Sequence, residues 1–251
     1  MKEQLKKEIV RDMYDKKTVL DYLWLHSRFN AICLHQSEVL YREGKGFAAV
    51  TVLFSCLESV AKSVTNDFES TLKKVFKKLW VNEILTETEY NFLNVGSNCI
   101  REIRNLYAHA NISAIYLIDV EEGKEILCPF TEDETSSLLY KKVSDIVYNL
   151  ILKCISADFI DEVKQRFSQP LDNAILQCEL RIKVLSVRDL LVLKGYPSEY
   201  ISDDIEMSEA AKYRLVDNAP DLNMRMHILS QMKNAGLFEA LKNDSDGDRK
   251  N

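Results

Sequence analysis

The sequence predicts an all-α fold, an antiparallel helical bundle with a small β-hairpin insertion and a smaller helical module behind it. Three observations predict it. Only seven Gly and four Pro occur in 251 residues, too few for the many turns of a β-protein. Long stretches keep apolar residues at helical spacing. Two short β-branched runs around one glycine are the only hairpin signal.

The first elements follow in order. A short amphipathic segment opens the chain, and a long helix is expected from about Thr18 to Arg42, with Tyr22, Leu25, Phe29, Ile32, Gln36 and Val39 as its apolar face. Gly44-Lys45-Gly46 punctuates it. From Phe47 to about Thr65 the chain is apolar nearly all round, as a central bundle helix is. The apolar run stops at Glu58, too short to span a bilayer. Between Phe68 and Trp80, Leu72, Val75, Phe76, Leu79 and Trp80 share one arc. Lys73, Lys74, Lys77 and Lys78 fill the other. That lysine face either holds a polyanion such as RNA or is a solvated face whose stems cover apolar surface.

Thr86-Glu87-Thr88-Glu89 has the form of a capping box, so a helix is expected from about residue 87 to Ala108. Its apolar side is Phe92, Val95, Gly96, Cys99, Ile100, Ile103, Leu106 and Tyr107. Asn94, Asn98, Arg101 and Asn105 line the polar side, with Arg104 at the boundary. The runs Ile112–Asp119 and Glu125–Cys128, either side of Glu121-Glu122-Gly123-Lys124, predict the hairpin. A second capping box, Thr131-Glu132-Asp133-Glu134, opens a final bundle helix reaching about Ala157. Ser168-Gln169-Pro170 is the candidate boundary, dividing a helical bundle at 1–160 from a small helical module with a polar tail at 165–251. In the second part, Ser186-Val187-Arg188-Asp189 opens a helix that Gly195 and Pro197 close, and Met224 to Leu241 carries the last helical pattern. Asn243 to Asp248 reads as a frayed tail rather than a calcium loop, lacking a closing Glu.

Composition bounds the chemistry. The formal charge is −6, and residues 1–160 carry 20 Lys/Arg against 23 Asp/Glu, so contact with a nucleic acid must be a local patch. The six cysteines contain no Cys-x2-Cys pair and read as reduced core thiols in a cytoplasmic protein. The charged start Met1-Lys2-Glu3-Gln4-Leu5-Lys6 has no signal-peptide apolar region. Four histidines are too few and too scattered for a metal cluster. His26 and His35 would point in opposite directions on one helix, and His227, among methionines, is expected partly buried. No P-loop, His-Glu-x-x-His, Gly-x-Ser-x-Gly or dinucleotide fingerprint occurs. No metal or cofactor is expected.

One constellation carries chemistry: Arg104 and His109, separated by four residues near the expected helix end, with Asn105 after the Arg. A guanidinium offers phosphate a permanent charge and a planar fork of donors. An imidazole exchanges a proton near neutral pH. If the helix ran on, His109 would lie about 140° round from Arg104, so the pair requires the helix to stop near Ala108.

The string Ile100-Arg101-Glu102-Ile103-Arg104-Asn105-Leu106-Tyr107-Ala108-His109 resembles the Arg-x4-His signature of HEPN domains, helical bundles that include metal-independent ribonucleases of bacterial defence and toxin systems. The resemblance covers roughly residues 18–157. It implies an RNA-cleaving hydrolase with His109 as general base or acid, Arg104 stabilising the phosphorane and Asn105 positioning the phosphate or the His. It also implies a homodimer with both motifs in one cleft, products with 2′,3′-cyclic phosphate ends, and a possible antitoxin or regulatory partner. A supporting polar position on the long buried helix matches Ser55 or Glu58, either of which would orient the His or the Arg; Arg101 is a further supporting cation. The alternatives for Ser55 and Glu58 are a buried hydroxyl and a helix-end carboxylate. Family members paired with nucleotidyltransferase antitoxins carry Tyr two residues after the His, where this chain has Asn111. A different class also fits: a non-catalytic HEPN-like module that binds a partner or nucleotide, which the acidic charge and lack of an aromatic platform favour. A plain bundle, with Arg104 paired to a carboxylate, is the third.

Overall fold

The computed structural model describes residues 13–109, 112–121, 123–198 and 209–234; the side chains of His109 and of residues 209, 210, 215, 229 and 231–234 lie outside the description. The opening segment, Asn111 and the tail, all singled out in the sequence, also lie outside it. The chain is mainly helical with one small sheet and divides into two compact units, Met1–Lys183 and Val184–Asn251. The division falls after Lys183 and not at Ser168-Gln169-Pro170. Phe167, Leu171, Ala174, Ile175 and Leu180 belong to the core of the first unit, so a proline-marked loop is followed by more of the same core.

In the first unit α1 (Lys16–His26) and α2 (Arg28–Arg42) replace the single helix expected from Thr18 to Arg42. Ser27 is extended (φ −154°, ψ 106°) and caps α2 by accepting from Asn30 N. The break folds α1 back along α2, so Lys16 meets Glu38 at 2.7 Å. It also shifts the helical phase. Val19, Leu23, Ala31 and Leu34 face the core, whereas Leu25, Phe29 and Ile32, expected inside, are 73%, 71% and 56% exposed. The polar residues Asn30 and Ser37 are buried as well, the Ser37 hydroxyl 3.1 Å from that of Tyr140, and a hydrophobicity pattern does not register them.

The central helix α3 (Gly46–Val64) packs on α2 and α7 (Asp133–Ser156). Gly46 is required there: a Cβ would lie 2.2 Å from Asp133 O and 2.4 Å from Ser137 N. Phe47 N donates to Asp133 Oδ1 at 2.8 Å. The heads of α3 and α7 therefore lie together and the two run parallel, not antiparallel, the chain between them returning through residues 65–132. The capping box expected at Thr131 does not form. The cap of α7 is Glu132, without a side-chain bond, and the Asp133 carboxylate serves α3, which has no side-chain cap of its own. By length and composition alone α3 could cross a membrane, since it continues past Glu58 to Val64; here its Ala49, Leu53, Leu57 and Val60 are core residues.

Helix α4 (Leu72–Val81) buries Val75, Phe76 and Leu79. Trp80, expected on that arc, stays partly exposed and stacks on Tyr90 at 4.8 Å. The Thr86 capping box forms in full at α5 (Glu87–Asn94). The helix does not run on to Ala108: Val95 is extended, Gly96 takes φ +89°, and α6 (Ile100–His109) starts afresh. A 3₁₀ turn (Ile112–Ala114) leads to β1 (Ile115–Glu121), which pairs antiparallel with β2 (Lys124–Pro129) through a tight turn containing Gly123 at φ +79°. Ile115 and Leu117 are buried in this unit's own core. After α8 (Asp161–Phe167) and α9 (Asp172–Gln177), Ile182–Val184 forms β3 on the other edge of β1, a strand the pattern did not reveal because three residues give no period to read.

In the second unit the Ser186–Asp189 capping box opens α10 (Val187–Leu193) as expected, and Gly195 closes it at φ +88°. Lys194 donates to Ala219 O and Val216 O at the end of α11 (Glu209–Asn218), and Asn223 of α12 (Leu222–Asn234) donates to Leu193 O. His227 is exposed, as are Met224 and Met226, so it is not the part-buried residue expected. The described cysteines are all unpaired; burial pushes the Cys56 and Cys154 thiols up to about 12.

Candidate functional site

Ile100 and Ile103 anchor α6 in the core, and Arg104, one residue on, emerges beside α3. Its Nη2 donates to Glu58 Oε2 at 2.7 Å, and its Nη1 lies 3.5 Å from Asn105 Oδ1, at the limit of a hydrogen bond. The other Glu58 oxygen holds Lys62 Nζ at 2.9 Å. Arg104 keeps a third of its side chain exposed. A guanidinium has five donors, so the single bond to Glu58 leaves most of the fork for a ligand.

That fork opens on a cleft of about 430 Å³ lined by Glu58, Lys62, Thr71, Leu72, Lys73, Arg101, Arg104 and Asn105. Four cations face one carboxylate there, on a protein whose net charge is −6. Arg101 is part of the frame. It donates to Asn94 Oδ1 at 2.8 Å and pairs with Glu102 at 2.7 Å, while Asn94 Nδ2 donates to Lys73 O. Buried Asn94 thus ties the end of α5 to the start of α4 and fixes the cleft wall.

The lysine face divides. Lys73 lines the cleft, and Lys74 and Lys77 are exposed beside it. Lys78 is paired with Asp67, whose carboxyl Lys78 and Ser70 hold below its ordinary range. Ser55 is not a buried hydroxyl: it is exposed, donates to Thr51 O at 2.8 Å, and stands in a second hollow. That hollow, about 200 Å³, is lined by Phe47, Thr51, Phe54, Ser55, Arg104, Tyr107 and Ala108. Arg104 borders both spaces.

His109 is the last residue of α6, one residue beyond Ala108, near which the motif requires the helix to end; the position of its imidazole lies outside the described residues. The sequence had not singled out Lys62, Phe47 or Thr51, and had read Tyr107 only as core. A signal was present: Phe47, Thr51, Ser55, Glu58 and Lys62 recur at spacings of three and four along one face of α3. Comparisons with family models, with curated proteins and with solved structures find no match to this chain.

Proposed function

We propose that this protein is a metal-independent endoribonuclease of the HEPN type, acting at Arg104 and His109. The observation that carries the proposal is the cationic cleft onto which Arg104 opens, ringed by Lys62, Lys73 and Arg101. His109 takes the proton of a ribose 2′-hydroxyl. The 2′-oxygen bonds to the adjacent phosphorus, the bond to the 5′-oxygen breaks, and that oxygen leaves with a proton taken from water. Products are a 2′,3′-cyclic phosphate and a 5′-hydroxyl. Arg104 stabilises the extra charge on the pentacovalent phosphorus, Asn105 positions the phosphate or the His, and Glu58 orients Arg104. Dependence on the 2′-hydroxyl means that DNA is not cut. Two copies facing each other across a two-fold axis belong to the same proposal, as do a cytoplasmic role in bacterial defence or toxicity and a restraining antitoxin-like partner.

The Glu58–Arg104 pair favours a second reading, a non-catalytic module that uses the cleft to bind a nucleotide or partner. Incubating the protein with RNA in EDTA and reading product ends separates the two. Cyclic phosphate ends made by wild type, and lost in His109→Ala with little change in melting midpoint, are the expected outcome. Equal cleavage by the variant sinks the ribonuclease proposal.

A further inference from the structure

The hollow beside Arg104 holds an aromatic platform assembled from distant parts of the chain. Phe47 stacks on Tyr107 with ring centroids 5.1 Å apart and planes 16° from parallel. Tyr107 is clamped from other sides by Phe130, edge-on at 5.3 Å, and by Phe54, edge-on at 6.5 Å. Its hydroxyl is engaged by Ser136 at 2.9 Å, and burial raises its pKa, so it stays protonated. What Tyr107 offers the hollow is its ring. Phe47 keeps 38% of its surface exposed, unusual for an aromatic at the head of a core helix.

At about 200 Å³ this hollow is smaller than the ~300–1,000 Å³ of drug-sized ligand sites, and it suits one planar ring. Thr51 and Ser55 hydroxyls on its rim each donate to a helix carbonyl, at 2.9 and 2.8 Å, which leaves their lone pairs for a base edge. The larger cleft on the far side of Arg104 has the charge for a sugar-phosphate. Both spaces lie along one face of α3, from Phe47 to Lys62, about 22 Å at 1.5 Å per residue. A cationic track with aromatic faces is how single strands are bound without base pairing.

We propose that the Phe47–Tyr107 hollow seats one unpaired nucleobase of single-stranded RNA, while the adjacent cationic cleft holds its phosphate against Arg104. The proposal rests on the RNA reading of the site and names the part of the substrate that this second space takes.

The test is binding of an uncleavable 2′-O-methyl hexanucleotide that carries 2-aminopurine at each position in turn, titrated with the full chain. Stacking quenches this base. Wild type quenches strongly at one or two positions. Phe47→Leu keeps apolar cover over Tyr107 but has no π-face; it loses the quench and weakens binding about 5- to 150-fold, the range expected for one stacked base. Phe47→Trp restores both. With an abasic residue at the quenched position, wild type and Phe47→Leu bind equally. If wild type binds the strand but no position is quenched, or Phe47→Leu binds and quenches as wild type does, the base pocket is wrong and the RNA reading stands. If wild type binds no strand at all, the RNA reading has failed and the pocket with it.

Discussion

Glu58 holds Arg104 at 2.7 Å between α3 and α6, and Glu89 holds Lys153 at 2.8 Å between α5 and α7. The contacts have nearly the same length, and everything round them differs. Glu89 is fully buried and Lys153 is 7% exposed. Both Glu89 oxygens accept from Lys153, one also from Thr86 N and the other also from Leu171 N. That carboxylate caps α5, anchors the chain after α8 and neutralises a buried ammonium, leaving no lone pair open to a ligand. Glu58 is shared by two cations at the wall of an open cleft, and Arg104 keeps unused donors. A saturated ion pair is scaffold; an unsaturated one at a cleft holds its cation in place with donors left over.

The largest expected effect lies on the buried side. Lys153→Met leaves Glu89 in the interior without its counter-charge, and breaking such a pair costs about 3–5 kcal/mol. Denaturant unfolding should show a loss of that order. A loss below about 1 kcal/mol would mean that water reaches Glu89 and that the two glutamates are alike.

Next is Arg104→Lys. Lysine keeps the charge and loses the planar fork that grips two oxygens at once. Turnover should fall by one to several orders of magnitude, on the order of a few kcal/mol of transition-state stabilisation. The melting midpoint should hardly move, because Lys keeps the charge beside Glu58 and a pair that still touches solvent contributes on the order of 1 kcal/mol. A lowered midpoint with unchanged turnover would move Arg104 into the scaffold beside Lys153.

Glu58→Gln gives the smallest change and sharpens the contrast most. Stability should stay within about 1 kcal/mol of wild type. Removing the one carboxylate among the described residues of the cleft lining should tighten binding of an uncleavable RNA strand and steepen its salt dependence. Turnover should drop, because Arg104 loses its positioning partner. Weaker binding in this variant would show that Glu58 contacts the RNA itself.

Much of this architecture was legible because it is local. The Thr86 and Ser186 capping boxes join residues three apart, and the hairpin turns at Gly123, where a positive φ favours glycine. The unpaired cysteines and the helical character could likewise be read directly. Contacts between distant residues could not. Asp133 falls within a local cap pattern, yet its carboxylate serves Phe47 N, eighty-six residues earlier. Leu25, Phe29 and Ile32 make as good an apolar stripe as the residues that are buried. One extended residue, Ser27, decides which face turns inward. The aromatic platform was invisible for the same reason: Phe47 and Tyr107 are sixty residues apart and stack only because α3 and α6 meet. Residue type and short-range spacing determine helices, caps and turns, since those hydrogen bonds close within one turn of chain. Which cation a glutamate meets, and whether water remains beside it, is decided by packing between elements, and that difference separates Glu58 from Glu89.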